Sequence, residues 1–409
     1  MVREEIIRFG DIEFSEEEKK AIMDVCNSNR VTENKKTAEF ERKWAEKIGT
    51  KYSIAVNSGT SGLILGLNAL KYLVNNPKRN KVITTPLTFI ATSNAIKISN
   101  LEPIFGDVNK ETFDILPSEI ERILKENDPS EFLAIVPVHL MGYPCKMDEI
   151  NKLAKENNLY VFEDAAQAHG TKYLGKTIGS FGDLANYSFY IAHNIQVGEF
   201  GAVNTSNIEL KNLMKKLKAH GRICICDVCK RMEGNCPEIK KRENEDDDFD
   251  PRYTHDLIGF NFKTNEFMST LALERLKSME YINERRRENV KYLNGGLAKH
   301  SDVLQLPIYS EEVSYLAYPL VIKEGSRKLI RENLEKKGIE TRSLFGCIPF
   351  DQPSYLNYKE IYKGKIPNAE YLGKNGFFVG CHQGLKENHL DRIINSLDEI
   401  ISTGNHLRK

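Results

Sequence analysis

Apolar and polar positions alternate in two rhythms through the first half of the chain. Short apolar runs, YSIAV at 52–56, KVITT at 81–85, EPIFGDV from Glu102, FLAIVPVHL at 132–140 and LYVFED at 159–164, are separated by stretches with helical spacing. Those stretches include LILGLNALKYL, FIATSNAIKI and the amphipathic KMDEINKLAKENN. Runs that stay apolar along their length suit strands covered on both faces, so the pattern predicts an α/β lobe around a largely parallel sheet. ANYSFY at 185–190 and GAVNT at 201–205 are expected to add two strands.

The rhythm changes after Gly221. EIKKRENEDDDFDPR at 238–252 is too polar to bury and reads as a solvated loop. A Leu-, Glu- and Arg-rich helical stretch from Thr264 to about Leu297 is expected to link two lobes, and EVSYLAYPLVI with RKLIRENLEKKG describes a smaller α+β lobe. The expected division is a large domain over residues 1–265, with a Cys-rich insertion at about 222–252, then a linker helix and small C-terminal domain over 266–409. A length of 409 residues agrees with two lobes.

Lys and Arg total 58 and Asp and Glu total 58, a zero net charge that argues against a nucleic-acid footprint or a polybasic membrane anchor. No run approaches the roughly 20 apolar residues of a membrane span. The opening MVREEIIRFGDIEF lacks the apolar centre of a secretory signal, so a cytoplasmic location is expected. Cys26, Cys145, Cys347 and Cys381 are scattered and read as buried thiols. Cys224, Cys226, Cys229 and Cys236 crowd into one short window, and in a reducing compartment such a group points to a metal site.

Two segments carry chemistry. Asn57-Ser58-Gly59-Thr60-Ser61-Gly62 joins a strand to a helix, where glycines admit a close ligand and a helix N-terminus favours an anion; a tight turn without a ligand is the other reading. Glu163-Asp164-Ala165-Ala166-Gln167-Ala168-His169-Gly170 follows an apolar strand, and a carboxylate at a strand's carboxyl end sits where open α/β sheets bind ligands. Such a carboxylate suits a protonated pyridine nitrogen.

In combination, SGTSGLILGL, TFIATSNAI, EPIFGDVNKETFDI, PVHLMGYPCKMDEI, YVFEDAAQAHG and GFNFKTNEF resemble the pyridoxal phosphate (PLP)-dependent sugar aminotransferase family over about residues 8 to 385. The resemblance implies fold type I of the PLP enzymes and a homodimer with active sites at the subunit interface. It implies that Gly59, Thr60 and Ser188 bind the cofactor phosphate, that Phe89 stacks on the ring and that Asp164 pairs with its nitrogen. Gln167 is expected near the ring, and Asn261 is expected to reach the phosphate of the neighbouring subunit.

One position departs from that family. Ser188-Phe189-Tyr190-Ile191-Ala192-His193-Asn194 places His193 where the aminotransferases carry the lysine that holds the cofactor covalently. Imidazole forms no such bond, so the resemblance implies cofactor held non-covalently, as pyridoxamine phosphate (PMP), with His193 as a base that titrates near neutrality. SFYIAHNIQVGEFGA resembles the nucleotide-4-keto-6-deoxyhexose 3-dehydratase branch, with Asn194 and Phe200 as departures from its pattern. The expected reaction is C-3 dehydration of a nucleotide-linked 4-keto-6-deoxy sugar. HGRICICDVC resembles the iron–sulfur type of that branch, with Cys224, Cys226, Cys229 and Cys236 as the implied ligands of a [2Fe–2S] or [4Fe–4S] cluster. That type takes its electrons from an NAD(P)H-dependent flavin or iron–sulfur reductase. A glutamate-dependent dehydratase with structural zinc and a non-catalytic regulator on the same fold are the alternatives.

Overall fold

The computed structural model describes residues 6–10, 12–242 and 249–407; the acidic run at 243–248 lies outside the described residues. Helices α1 (Glu16–Ser28) and α2 (Lys35–Ile48) lead into β1 (Tyr52–Val56) and α3 (Gly59–Val74). Then come β2 (Lys81–Thr84), α4 (Ala91–Ile98), β3 (Glu102–Phe105), α5 (Pro117–Glu126), β4 (Phe132–Val136), α6 (Met147–Glu156) and β5 (Tyr160–Asp164). A small hairpin precedes β6 (Leu184–Ser188), β7 (Gly201–Thr205) and α7 (Ile208–Leu217).

These seven strands form one sheet in the order β1-β7-β6-β5-β4-β2-β3. β7 runs antiparallel to both its neighbours, whereas the β2–β3, β2–β4, β4–β5 and β5–β6 pairs are parallel. Alternate residues enter opposite cores: Ile54 and Val56 pack on one side and Ala55 on the other, as do Val82 and Ile83. Both faces are covered, which is why the strands are mostly apolar. The parallel arrangement brings the carboxyl ends of β1, β2, β5 and β6 to one edge, and the chemistry-bearing loops leave from there.

The expected linker is two helices, α8 (Glu266–Leu276) and α9 (Met279–Leu297). α8 packs on α1 and α2, whereas α9 packs on the C-terminal helix, and this change of partner divides the stretch at Lys277-Ser278. The second sheet is antiparallel and contains β8 (Leu304–Gln305), β9 (Tyr318–Ile322), β10 (Arg342–Ser343) and β11 (Gly376–Val379), in the order β8-β9-β11-β10. α10 (Arg327–Lys336) and α11 (Glu387–Ser402) complete this α+β lobe.

The expected solvated loop also departs in part, because Pro237–Lys240 forms one helical turn with proline at its start. Cys26 lies exposed on α1, contrary to expectation, while Cys145, Cys347 and Cys381 are buried. Near the N-terminus, Ile7 pairs with Ile339, and Phe9 donates its amide to Glu340 Oε2 at 2.9 Å. We propose the boundary at 265/266 with two exchanges: residues 6–9 sit on the second sheet, and α8 sits with the first lobe.

Candidate active site

The edge where β1, β2, β5 and β6 end borders a cavity of about 510 Å³. Ser58 caps α3, its hydroxyl accepting the Ser61 amide at 3.1 Å. The amides of Gly59 and Thr60 take no partner among the described residues, so two donors and the helix dipole are free to meet an anion. Gly59 is required by packing, because a Cβ there would lie 2.5 Å from Ser188 Cβ. Ser188, at the end of β6, thus stands directly against the helix start.

Asp164 ends β5 and is buried; its Oδ2 accepts the Thr92 hydroxyl at 2.8 Å and its Oδ1 the Ala166 amide at 3.3 Å. Burial raises its pKa against those hydrogen bonds, a shift that a cation alongside would oppose. Glu163 points to the opposite face of the strand, where it accepts amides from Gly179, Phe181 and Gly182 and pairs with His139 at 3.2 Å. Of the two adjacent carboxylates, only Asp164 lines the cavity.

His193 lines the same cavity, with its Nδ1 enclosed and unpartnered. Contrary to the expectation of titration near neutrality, burial first and then the Arg286 guanidinium lower its pKa to about 3. The ring is therefore neutral across the ordinary pH range. Asn194 fixes the loop behind it by donating to Ser314 O at 3.1 Å and Asn283 Oδ1 at 3.3 Å. Phe200 fills the core beside Phe40 and Phe189, with ring centroids 4.8 and 5.3 Å away. Both residues that depart from the dehydratase pattern are thus tied into the packing of this fold.

Gly59, Thr60, Phe89, Asp164, Gln167, Ser188 and His193 are brought together around this cavity, and Asn261 is not. Asn261 is exposed and bridges to Ala219. Among the described lining residues there is no lysine. The free amides, the cradle that a Cβ would fill and the buried carboxylate fit a pyridoxamine or pyridoxal phosphate. Several neighbours escaped the sequence reading. Thr92 lay within the recognised TFIATSNAI segment, a threonine one turn beyond Phe89. Phe9, Arg342, Phe345 and Phe378 come from distant positions with no local signal that they share a cavity with the start of α3.

Cys224, Cys226, Cys229 and Cys236 line a second cavity of about 230 Å³. Burial first, and then the Cys224 thiol, push the Cys226 thiol up to about 11. Binding a metal there would displace protons. Asp227, between these cysteines, pairs with Lys215; the buried Lys215 also meets Glu41 Oε2 at 2.9 Å, and Glu41 Oε1 accepts the Ala55 amide at 2.9 Å. Four soft thiols around one cavity suit a thiolate-bound centre as a donor set. Among the described residues, however, no three His, Cys, Asp or Glu stand at the spacing that holds an ion. Among the described residues, no helix is long and apolar enough to cross a membrane.

Residues 13–398 match the DegT/DnrJ/EryC1/StrS aminotransferase family. The lipopolysaccharide biosynthesis protein RfbH of Salmonella typhimurium is 31% identical over 378 residues, covering 88% of this chain and 84% of that protein. The Helicobacter pylori PseC structure, an aminotransferase involved in the biosynthesis of pseudaminic acid, superposes with a TM-score of 0.84 at 25% identity, covering 98% of this chain and 100% of that one. The structure of E. coli GDP-4-keto-6-deoxy-D-mannose-3-dehydratase with bound hydrated PLP gives 0.80 at 25% identity, covering 96% and 99%. The architecture is the fold type I α/β fold of the PLP-dependent aminotransferases. With its seven-stranded sheet, its helix-capped anion cradle and a match along nearly its whole length, the chain belongs to the DegT/DnrJ/EryC1/StrS aminotransferase family.

Proposed function

We propose that this protein is a PMP-dependent C-3 dehydratase of a nucleotide-linked 4-keto-6-deoxy sugar. The observation that carries the reading is His193: an imidazole stands in the cavity at the family's lysine position, and the described lining offers no lysine amine. PMP, when bound, supplies an amine for the C-4 ketone and a ring that takes up electrons. The amides of Gly59 and Thr60, with Ser188, hold the phosphate; Phe89 covers the ring; Asp164 keeps the ring nitrogen protonated; Gln167 stands alongside. His193, neutral and therefore able to accept, would take up the proton that the chemistry releases beside the cofactor's amine. That proton and the C-3 hydroxyl leave together as water, and two electrons with protons complete the 3-deoxy product.

The convergence of Cys224, Cys226, Cys229 and Cys236 on one cavity supports an iron–sulfur cluster fed by a flavin or iron–sulfur reductase as the electron source. The same four thiols are also the donor set of a second reading, with structural zinc and glutamate as the donor that restores PMP. Exposed Asn261, with the neighbouring Ile258 at 87% exposure, supports a homodimer in which Asn261 faces the partner's cofactor phosphate.

The test supplies anaerobically purified protein with PMP, candidate nucleotide 4-keto-6-deoxy sugars and, in parallel arms, dithionite or glutamate, and follows products by mass. Loss of one oxygen as water, abolished in His193→Asn, supports the reading. Amination of the ketone from glutamate, without deoxygenation, overturns it. Iron, sulfide and zinc analysis of the same protein separates the two electron sources.

A further inference from the structure

The cofactor end of the cavity binds its anion with neutral donors, yet the same cavity contains a permanent cation. Among the described lining residues, Arg342 of β10 is the one arginine or lysine. It stands away from the α3 cradle, at the end of a wall of aromatic rings. Phe89 lies 5.9 Å from Phe345, Phe345 6.4 Å from Phe378, and Phe378 5.1 Å from Phe9, centroid to centroid. The Arg342 guanidinium then lies 4.6 Å over the Phe9 ring.

The guanidinium is held in place. Its Nε and Nη2 donate to Glu340 Oε1 at 3.1 and 3.0 Å, and Glu340 Oε2 accepts the Phe9 amide at 2.9 Å. One carboxylate therefore fixes both the ring and the cation stacked on it. Nη1 is left without a partner among the described residues, and the side chain is 48% exposed. An arginine held in this way has little freedom left to lose when it meets a ligand and still offers donors to phosphate oxygens.

We propose that Arg342 grips the phosphate-bearing half of the substrate, an organic diphosphate, while the sugar lies along the aromatic wall toward His193. The inference rests on the nucleotide-sugar reading above and assigns the grip to a residue of the second lobe. Glu340 limits the net charge at this point, so the recognition is geometric, through donor placement, as much as Coulombic.

Binding of CDP, GDP, UDP and dTDP to PMP-loaded protein, measured by calorimetry at low and high salt, tests it. The tightest of these ligands should bind Arg342→Gln at least about tenfold more weakly, with a flatter salt dependence, and Arg342→Lys in between. PMP affinity, read by absorbance, should stay at the wild-type level in both variants and show that the cavity is intact. On a turned-over sugar, KM should rise more than kcat falls. If no nucleoside diphosphate binds the wild type, the nucleotide-sugar reading falls and this inference with it. If the best ligand binds Arg342→Gln as tightly as wild type, the assignment of Arg342 alone is overturned.

Discussion

From the second position of α4, Thr92 donates its hydroxyl to Asp164 Oδ2 at 2.8 Å, so the carboxylate proposed to face the cofactor ring is aimed by a residue from a different strand–helix unit. Thr92→Val keeps the shape and removes the donor. A hydrogen bond to a charged group contributes about 1.5–3 kcal/mol, so turnover should fall roughly tenfold to a hundredfold. Thr92→Ser should retain most of the rate. Equal rates for Thr92→Val and wild type would show that Asp164 does not depend on this contact.

His193 should stay neutral in the cofactor-free protein. Its pKa is lowered to about 3 from 6.5, so below pH 6.5 the unfolded chain binds a proton that the native state does not. Stability should accordingly fall as pH drops from about 6.5 towards 3, and His193→Asn should reduce that dependence. Proton NMR of the imidazole signals checks the sign, with the His193 resonance flat between pH 8 and 5. Adding PMP brings negative charge into the cavity and should move the titration upward. A free-protein midpoint near 6.5 would contradict the burial argument.

Gly59→Ala should damage cofactor binding more than folding. The new Cβ would lie 2.5 Å from Ser188 Cβ, so the start of α3 must shift away from the strand. Strain of about 1–3 kcal/mol at this contact translates to a roughly fivefold to hundredfold loss of PMP affinity. Equilibrium dialysis reads the affinity, and thermal unfolding of the cofactor-free protein reads the fold. Unchanged affinity would remove the α3 N-terminus from the phosphate site.

Lys215→Met should cost about 3–5 kcal/mol, because it removes a buried partner of Glu41 without removing the buried carboxylate. Urea unfolding should show a lower midpoint at unchanged slope. Adding Glu41→Gln should recover part of the loss. A single variant as stable as wild type would show that the Lys218 contact at 3.4 Å is sufficient for Glu41.

Strands were legible where their neighbours in space are also other buried strands. YSIAV and GAVNT coincide with β1 and β7 because residues covered on both faces leave a continuous apolar signature. The α3 cradle was legible for a similarly local reason, since turn, cap and glycine follow one another in the chain. The division of α8 from α9 was hidden, because what separates them is a change of packing partner rather than a helix-breaking residue. His193 was visible as an identity, but its electrostatic state was not: Arg286 is distant in sequence, and burial belongs to the folded cavity. For the same reason Arg342 gave no sign that it would share a cavity with Thr60.

The contact between Phe9 and Glu340 spans 331 positions. In the order in which a ribosome releases the chain, Phe9 emerges 331 positions ahead of the residue that fastens it. The first lobe's strands can pair while synthesis continues, but this wall of the cavity stays open until β10 and β11 have appeared. A growing chain can therefore carry the α3 cradle and His193 well before it has a complete place for a substrate. Completion of the site therefore waits on β10 and β11, and the segment around Phe9, although made well ahead of them, gains its fastener only when they arrive.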